Sequence, residues 1–411
     1  MHFIQVFLYT FIILFSGCNF LNLNEDLKKQ ERFTLITGQV STQHESLFPI
    51  IIVLVKLDDG LSEVLDYRIV ESIGNFSFVT EPGQYIIFAF EDMNYDRQLN
   101  DSENISCSST LDMSLGGSEK NINLIIKDTP DKKLLYRINY LKDTLITKSS
   151  KLQFTREDIT PLDSERFSKE NVKKGLWEPY KFIQEVSFGL FFLNEYDPNK
   201  KIVLFIHGIN GRPTDFSYII ENIDHSRFQA MVFFYPTGAP LNIVSYHLSS
   251  LMKEFQINFS FEKLSLVAHS MGGLVSRAFI NSQSNMKEPL VDSFISISTP
   301  WNGSTTAGYG LKFSPVTIPV WKDMAPKSEF LNSLFSIPLK QGQNHYLLFS
   351  FKGGDVIVEG KGDGVISISS QLLPIAQESA TLVRGFNVDH TSILKNKDVS
   401  RIINTILIDN F

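Results

Sequence analysis

The sequence predicts two folded parts of different class, a small all-β sandwich domain followed by a larger α/β domain with a doubly wound, mainly parallel sheet. In the first part, short β-type runs are separated by turn residues, as in an antiparallel sandwich. These runs are residues 33–40, 50–55, 64–70, 76–79, 85–90 and 122–126. In the second part, longer apolar runs alternate with amphipathic helical segments, which fits a parallel sheet covered by helices on both faces. Its predicted strands are residues 201–207, 229–235, 264–268, 293–298 and 346–351.

Length and composition limit the classes of function. The 411 residues suggest about two or three domains. A hydrophobic content of 43% with 20% charged residues is typical of a globular protein with a substantial core. The net charge is −7 and no long basic run occurs, so nucleic-acid binding has no support. Cys18 and Cys107 lie in such different settings that a disulfide framework is not expected.

The N-terminal segment has the features of an export signal. Residues 3–16 are apolar but short for a membrane span. They lead into Phe-Ser-Gly-Cys at residues 15–18, which resembles the lipobox of bacterial lipoproteins. The resemblance implies a signal peptide over residues 1–17, lipid attachment at Cys18 and a polar tether over residues 18–31. It also implies an exported, membrane-anchored lipoprotein, with the outer membrane or cell surface favoured because Asn19 follows the cysteine. A plain signal peptide and a buried hydrophobic helix stay open as alternatives.

The β-type part spans residues 32–127 and is followed by a connector over residues 128–180, rich in Lys, Asp, Glu and Ser, with one or two helices expected. Residues 74–78 and 81–90, Gly-Asn-Phe-Ser-Phe and Glu-Pro-Gly-Gln-Tyr-Ile-Ile-Phe-Ala-Phe, resemble carboxypeptidase-regulatory-like or transthyretin-like modules of secreted proteins. In such modules the sandwich supports or positions a neighbour. We therefore assign no catalysis to this part.

Oxygen-bearing side chains recur through residues 92–103, at loop positions one, three, five, seven, nine and twelve. They are Asp92, Asn94, Asp96, Gln98, Asn100 and Glu103. This spacing resembles a calcium loop, in which alternate side chains turn inward on one hard cation. Arg97 stands at the sixth position, where glycine normally makes the sharp bend. A structural calcium ion and a solvated acidic turn both stay open.

The stretch 264–275, Leu-Ser-Leu-Val-Ala-His-Ser-Met-Gly-Gly-Leu-Val, combines a β-type run with the start of a helical pattern. A serine on such a sharp turn projects clear of the backbone, and the positions two before and two after it must be small. Here they are Ala268 and Gly272 around Ser270. The stretch resembles the nucleophile elbow of the α/β-hydrolase superfamily, with alanine in place of the first glycine of G-x-S-x-G. The resemblance implies an α/β-hydrolase domain over residues 181–411, with the N–H of Met271 as first oxyanion donor.

His207-Gly208-Ile209 ends the first long strand of this domain and resembles the His-Gly-X oxyanion motif of bacterial lipases. Glycine lets the loop approach the nucleophile, and the N–H of Ile209 is then the expected second oxyanion donor. We expect His207 itself to be structural. An ordinary turn after a strand is the alternative.

The fold orders its catalytic residues as serine, acid, histidine. Asp363, in Gly-Asp-Gly-Val-Ile, resembles the Asp-Gly-Val acid motif of lipases, and Asp323 and Asp355 are competing carboxylates. Beyond the elbow the only histidines are His345 and His390. His345 precedes a strand, at the wrong end for the site, whereas His390 follows the last strand-like run. We therefore expect His390 to be the base and Asp363 to orient it.

These residues predict acyl transfer, in which Ser270 attacks an ester carbonyl, His390 moves the proton and water releases the acyl-enzyme. No cofactor is expected to be required for catalysis. Lipid esters are favoured as substrates because a lipid-anchored enzyme already lies at a membrane surface. Residues 301–331 are expected to form a lid or acyl-pocket wall over Ser270, with a simple surface loop as the alternative.

Two other classes of function stay open. The same three residues are compatible with an amidase, a thioesterase or an acyltransferase that uses an acceptor other than water. The second alternative is a catalytically silent surface binding lipoprotein, in which the β-sandwich and the acidic loop would be the functional part.

Overall fold

The structure is a computed structural model. It describes residues 34–44, 48–58, 61–70, 73–80, 83–95, 99–100, 102–114, 120–127, 159–186, 188–259, 261–284, 288–352, 354–356 and 360–410. The signal peptide, Cys18 and the tether predicted over residues 1–31 lie outside the described residues. Residues 128–158 of the predicted connector, and Asp96 and Gln98 of the acidic loop, also lie outside them.

The described residues form two compact units. The first comprises residues within 34–127 together with Met252–Asn258, and the second comprises residues within 159–251 and 259–410. The first consists of β-strands apart from the helical residues 252–258, and the second is α/β. Among the helices of the described residues, none is long and apolar enough to cross a membrane.

The first unit is built from two sheets. Its strands are β1 Thr34–Thr42, β2 Ile50–Asp58, β3 Leu61–Val70, β4 Gly74–Thr80, β5 Gln84–Glu91, β6 Ile105–Cys107, β7 Leu111–Asp112 and β8 Lys120–Ile126. One sheet has the order β4-β1-β8, and the other has the order β3-β2-β5-β6 with β7 also pairing β5. Within the described residues, each β-type run predicted from the sequence lies on one of these strands.

Strand β2 shows why this part folds as packed layers. Successive side chains of a strand point to opposite faces of its sheet. Ile50, Ile52 and Leu54 belong to the core shared by the two sheets, whereas the intervening Ile51 and Val53 belong to a second cluster on the other face. The strand is therefore apolar without alternation. Pairing is antiparallel except between β1 and β8, which are parallel.

The second unit contains a seven-stranded sheet of order β17-β14-β13-β12-β10-β11-β9. All neighbours in it are parallel except β9 and β11. Its strands are β9 Gly189–Phe192, β10 Lys201–Ile206, β11 Phe228–Phe234, β12 Leu264–His269, β13 Val291–Ile297, β14 Asn344–Ser350 and β17 Leu382–Phe386, and a separate hairpin pairs β15 Gly354–Val356 with β16 Gly360–Gly362.

Helices connect these strands. They are α1 Lys169–Trp177, α2 Pro179–Glu185, α3 Ser217–Glu221, α4 Leu241–Phe259, α5 Met271–Ser282, α6 Thr305–Phe313, α7 Val320–Met324, α8 Glu329–Ser333, α9 Ile368–Gln371, α10 Pro374–Glu378 and α11 Lys397–Asp409, with 3₁₀ turns at Glu165–Phe167, Pro213–Phe216 and Ser392–Lys395. Sheet and helices confirm the predicted α/β class. The order and near-uniform parallel direction bring the carboxyl ends of β12, β13, β14 and β17 to one edge, side by side.

Residues 159–180, assigned to the connector from the sequence, pack within the second unit. Ile159 pairs with Phe192 in a parallel bridge. Phe167 is buried, with its ring centroid 5.2 Å from that of Phe234. Residues 159–180 therefore belong to the second unit. The sequence of this segment is rich in charged residues, so its buried aromatic residues give no clear signal there.

Candidate active site

Ser270 stands at the junction of β12 and α5, where the chain reverses abruptly. Its backbone has φ 52° and ψ −127°, a conformation that is unfavourable for a residue with a side chain. The Ser270 N–H donates to the carbonyl of Ile297 at 2.8 Å, which ties the turn to β13. The strand, turn and helix therefore have the form predicted for the elbow. Strain of this kind is retained where the surrounding structure enforces it.

Gly272 explains why the elbow requires small residues. A Cβ added there would lie 2.2 Å from the carbonyl oxygen of Ile206 and 2.6 Å from that of His207. Real Cβ atoms do not approach backbone oxygens so closely. The first turn of α5 thus lies directly against the end of β10, and only glycine fits at that position.

The three residues predicted for catalysis come together in one hydrogen-bonded chain. His390 Nε2 lies 3.0 Å from Ser270 Oγ, and His390 Nδ1 lies 2.7 Å from Asp363 Oδ2. Because the carboxylate can only accept, Nδ1 carries the proton and Nε2 is left to accept from the serine hydroxyl. All three side chains are buried. Asp363 and His390 lie 93 and 120 positions after Ser270 in the sequence. The fold brings all three together at one edge of the sheet.

Asp363 is held by donors on both carboxylate oxygens. Oδ1 accepts the N–H groups of Val365 and Ile366 at 3.0 and 2.8 Å, and Oδ2 also accepts from Ser350 Oγ at 2.7 Å and Gln371 Nε2 at 3.1 Å. Burial by itself would raise the pKa of Asp363. The hydrogen bond and charge of His390, with the other donors, outweigh burial and lower the pKa of Asp363 below its ordinary value.

The backbone of His390 is fixed from two sides. Its N–H donates to the carbonyl of Asp363 at 3.1 Å, and its own carbonyl accepts from His269 Nε2 at 2.8 Å. Burial lowers the pKa of His269 to about 3, so its ring is neutral at ordinary pH. The preceding Asp389 directs its carboxylate to the hydroxyl and N–H of Ser392, which lower the pKa of Asp389 to about 2.

The competing candidates occupy other places. His345 is buried in β14, where Nε2 lies 2.8 Å from Ser296 Oγ, and burial lowers the pKa of His345 to about 3. Asp323 accepts the N–H of Leu241 at 2.6 Å and so caps the start of α4. The backbone of Asp355 lies in β15. Among the described residues, neither His345 nor Asp323 is hydrogen-bonded to the serine and histidine of the chain.

The loop after β10 passes directly beside the nucleophile. A Cβ added at Gly208 would lie 2.9 Å from Ser270 Cβ, so the loop could not approach this closely with a larger residue. Ile209 follows in this loop, and Met271 is the first residue of α5. Both residues predicted to supply oxyanion donors therefore belong to segments that meet at Ser270. Their role as donors remains a prediction.

His207 occupies a structural position, as the sequence suggested. Its ring stacks on Tyr235 at a centroid distance of 4.4 Å, and its Nδ1 donates to the Gly208 carbonyl at 3.0 Å. The Tyr235 hydroxyl donates to the His207 carbonyl at 2.6 Å. Burial lowers the pKa of His207 to about 4, and it raises the pKa of Tyr235 far above its ordinary value. These contacts hold the loop that carries Ile209.

Residues 301–331 form helices α6, α7 and the start of α8 rather than an irregular loop. The Val320 N–H donates to the carbonyl of Gly238 at 3.1 Å, and the Ser304 N–H donates to that of Met324 at 2.8 Å. On α6, the rings of Tyr309 and Phe313 stack with centroids 5.8 Å apart and are 46% and 62% exposed. The segment is anchored at its middle and presents an aromatic pair to solvent.

The acidic loop of the first unit is described in part. Both carboxylate oxygens of the buried Glu103 accept backbone N–H groups, Oε1 from Met93 at 3.2 Å and Oε2 from Asn100 at 3.0 Å. Asp92 is buried at the end of β5, and Asn94 is exposed. Within the part of the chain that the structure describes, no three His, Cys, Asp or Glu side chains are grouped so that they could hold a metal ion.

Four residues around the candidate site were not identified from the sequence: His269, Ser298, Ser350 and Gln371. Ser298 follows β13 and Ser350 ends β14, so each is a serine at the end of an apolar strand. This signal is visible in the sequence but common. Gln371 lies at the end of α9, and nothing in its local sequence indicates that its side chain reaches Asp363.

Strand order, elbow and the three-residue chain together define the α/β-hydrolase fold for the second unit. By sequence, residues 197–348 match the family described as "Putative serine esterase (DUF676)". This stretch includes Ser270, Ile209 and Met271 and ends before Asp363 and His390. No curated protein sequence matches the chain.

Solved structures similar to this chain share little sequence with it. Bacillus licheniformis lipase BlEst2 in its mature form is 20% identical over 52% of this chain and 93% of its own, with a TM-score of 0.42. A lipase-esterase related protein from Clostridium acetobutylicum is 11% identical over 55% of this chain and 99% of its own, with a TM-score of 0.37. Legionella pneumophila phospholipase PlaB is 12% identical over 42% of this chain and 45% of its own, with a TM-score of 0.35.

Proposed function

We propose that the protein is a serine hydrolase that cleaves carboxylic esters through an acyl-enzyme on Ser270. The observation that carries this proposal is the hydrogen-bonded chain from Ser270 Oγ through the His390 ring to Asp363, with contacts of 3.0 and 2.7 Å. A serine hydroxyl is a weak nucleophile until a neighbouring base accepts its proton. The chain supplies that base together with the carboxylate that orients it. The family match of residues 197–348 supports the same class.

In the first half of the reaction, Ser270 Oγ attacks the carbonyl carbon while its proton passes to His390 Nε2. The resulting imidazolium is stabilised by Asp363, which remains ionised. His390 then gives the proton to the leaving alcohol as the ester bond breaks. In the second half, His390 accepts a proton from water, the hydroxide attacks the acyl-enzyme, and the proton returns to Ser270 as the acid leaves.

The tetrahedral intermediate carries a negative oxygen that needs donors. We assign this role to the N–H groups of Ile209 and Met271, because the Gly208 loop and the first residue of α5 flank Ser270. The N-terminal end of α5 also contributes a favourable dipole at this point. Removing one such donor typically lowers kcat by about 10²- to 10³-fold.

We further propose lipid esters as the substrate class. The exposed aromatic pair of Tyr309 and Phe313 on α6 supports this choice, since large apolar side chains grouped at a surface favour contact with an apolar partner. Lipid attachment at Cys18 would hold the enzyme at a membrane, most naturally the outer membrane or the cell surface. Incorporation of an alkyne fatty acid into the wild-type protein and not into Cys18→Ala would support the anchor. Equal labelling of the two would contradict it.

A structural calcium ion in the segment 92–103 stays a proposal of its own and takes no part in the reaction. Titration of the full-length protein with calcium, followed by calorimetry and by thermal unfolding, tests it. Saturable binding that Glu103→Gln abolishes would support the ion. Unchanged unfolding at millimolar calcium would favour the hydrogen-bonded acidic turn.

The proposed activity is tested by labelling the full-length protein in detergent with a fluorophosphonate, which reacts with activated serines. Mass mapping should locate the label on Ser270, and Ser270→Ala and His390→Ala should lose it. Matched controls are Ser282→Ala, at the other end of α5, and His225→Ala, both at exposed positions. Absence of label on the folded wild-type protein would contradict the proposal and favour a binding protein. A panel of ester, amide and thioester substrates, with and without an acceptor alcohol, then identifies the reaction.

A further inference from the structure

A second group of buried polar side chains reaches the same carboxylate oxygen of Asp363 that His390 meets. Ser350 Oγ donates to Asp363 Oδ2 at 2.7 Å, and Ser298 Oγ lies 2.6 Å from Ser350 Oγ. A hydroxyl has one proton to donate, and that of Ser350 is used on the carboxylate. Ser298 must therefore be the donor to Ser350. The result is a directed chain of hydroxyls that ends on the same oxygen that faces His390.

Gln371 is the third side chain of this buried polar group. Its Nε2 donates to Asp363 Oδ2 at 3.1 Å and to the carbonyl of Ser350 at 3.0 Å, while its Oε1 accepts the N–H of Ser350 at 3.1 Å. The amide thus pairs with the backbone of Ser350 on both sides. This pairing fixes which end of the amide faces Asp363, because the backbone N–H and carbonyl are not interchangeable.

These polar groups reach the carboxylate from fully buried positions. Ser298, Ser350 and Gln371 are 0%, 0% and 1% exposed. A buried polar group without a partner costs about 1–3 kcal/mol, and packed apolar side chains would avoid that risk. Asp363 already has two N–H donors on Oδ1 and the imidazole on Oδ2. With Ser350 and Gln371 added, Oδ2 has three donors, one more than its two lone pairs require, which points to a role in adjusting its charge.

We propose that Ser350 and Gln371, supported by Ser298, are positioning residues that orient the carboxylate that His390 meets and reduce the negative charge at its Oδ2, and so adjust the pH dependence of the reaction. This inference rests on the proposed function. Each donor takes a share of the negative charge at Oδ2, so an imidazolium at His390 is stabilised less than it would be beside a bare carboxylate. Removal of one of these donors should therefore change the acidic limb of the pH–activity profile.

Other titratable side chains near His390 and Asp363 do not account for a change in the pH dependence. The ring centroid of His269 lies 4.7 Å from that of His390, and His207 acts electrostatically on His269. Burial lowers the pKa of His269 to about 3 and that of His207 to about 4, so both are neutral near pH 6 to 8. Asp389 is ionised through the same range. Their charges therefore stay constant while His390 titrates.

The test compares the pH dependence of kcat/KM on a soluble ester for wild type and Ser350→Ala. Loss of the hydroxyl leaves more negative charge on Asp363 Oδ2, which stabilises an imidazolium better. The acidic limb of the kcat/KM profile should therefore move to higher pH by about 0.5 to 1 unit. Ser298→Ala should move it in the same direction by less, and Ser350→Thr, which restores a hydroxyl, should return it towards wild type. A purely structural role predicts the opposite sign, because a displaced Asp363 would stabilise the imidazolium less. A limb that stays in place or moves to lower pH would overturn the inference.

Ser293→Ala is the matched control. Ser293 is buried in β13, the strand that Ser298 follows, and its Oγ has no hydrogen-bond partner among the described residues. Its replacement should leave the pH profile unchanged. Titration of the His390 ring by NMR in histidine-labelled protein gives a readout that needs no turnover. If the wild type neither reacts with fluorophosphonate nor cleaves esters, the proposed function fails. If it does both and the ring titrates identically in Ser350→Ala, only the positioning inference fails.

Discussion

His269, which directly precedes the nucleophile, donates its Nε2–H to the main-chain carbonyl of His390 at 2.8 Å. The strand that carries the serine therefore also holds the loop that carries the base. The distance between Ser270 and His390 is fixed by a contact outside the reacting atoms. Because a main-chain carbonyl carries no net charge, this link is a hydrogen bond and not an ion pair.

Replacing His269 by alanine should lower kcat by about 10- to 100-fold with little change in KM, because small displacements of a base are costly in rate. His225→Ala, at an exposed position, should have wild-type kinetics. Steady-state kinetics on a soluble ester, with thermal unfolding of each variant, measures this. A loss of activity that merely follows the fraction of unfolded protein would contradict the prediction.

The strain at Ser270 should be visible in stability. Glycine tolerates φ 52° and ψ −127°, whereas alanine carries the same steric penalty as serine. Both Ser270→Gly and Ser270→Ala should be inactive, with the glycine variant more stable than the alanine variant by about 1 kcal/mol. Denaturant unfolding measures the difference. Equal free energies of unfolding would show that the neighbouring contacts relax the backbone.

Gly272→Ala should be strongly destabilising, by about 3 kcal/mol or more, because the new Cβ would overlap the carbonyl of Ile206. Gly308→Ala is the matched control within a helix, since a Cβ there meets only Pro326 Cδ at 3.7 Å. That substitution should be neutral or stabilise by about 0.5–1 kcal/mol through helix propensity. Similar unfolding temperatures for the two variants would contradict the close approach of α5 to β10.

The lowered pKa of Asp363 gives a stability effect of definite sign. Its ionised form stabilises the fold above the pKa of an unfolded carboxyl, about 3.9, and that contribution is lost as the pH falls through the lower folded value. Asp363→Asn lacks the ionised carboxylate and therefore its contribution to the free energy of unfolding. The difference in free energy of unfolding between wild type and Asp363→Asn should therefore shrink below about pH 4. A difference that is constant from pH 7 to pH 3 would contradict the assignment. The variant should also lose about 10⁴-fold in kcat.

The aromatic pair on α6 should matter only at an interface. Phe313→Ser should reduce turnover of emulsified or vesicle-bound esters several-fold and leave a short soluble ester unaffected, because Phe313 is exposed and lies outside the hydrogen-bonded chain. Asn332→Ser, at an exposed polar position on α8, serves as the control and should leave both activities unchanged. Parallel loss on both kinds of substrate in Phe313→Ser would show that the segment supports the site itself.

Much of the fold could be predicted because its signals are local. The predicted runs 201–207 and 264–268 match β10 and β12 to within one residue, and the small residues around Ser270 mark the elbow. Asp363 and His390 could be nominated because the chain order of the fold leaves few candidates.

What could not be predicted depends on contacts between distant segments. Gln371 resembles any polar residue at the end of a short helix until the fold brings Ser350 and Asp363 beside it. Asp323 has the composition of a candidate acid, yet its partner is the N–H of Leu241, 82 positions away. The buried aromatic residues of the segment 159–180 likewise acquire their meaning only from the sheet that covers them.

Four adjacent strands, β12, β13, β14 and β17, each end at or a few residues before one residue of the site or its support. In that order, these residues are Ser270, Ser298, Ser350 and His390. The candidate site is thus assembled from short segments at the strand ends of one sheet, while residues 301–331 form an insertion between β13 and β14. The start of this insertion is tied to the same sheet, because the buried Trp301 packs on Phe294 and His345. On the proposed function, an exchange of acyl preference with another hydrolase should therefore succeed for α6, with its exposed Tyr309 and Phe313, and fail when it includes Trp301.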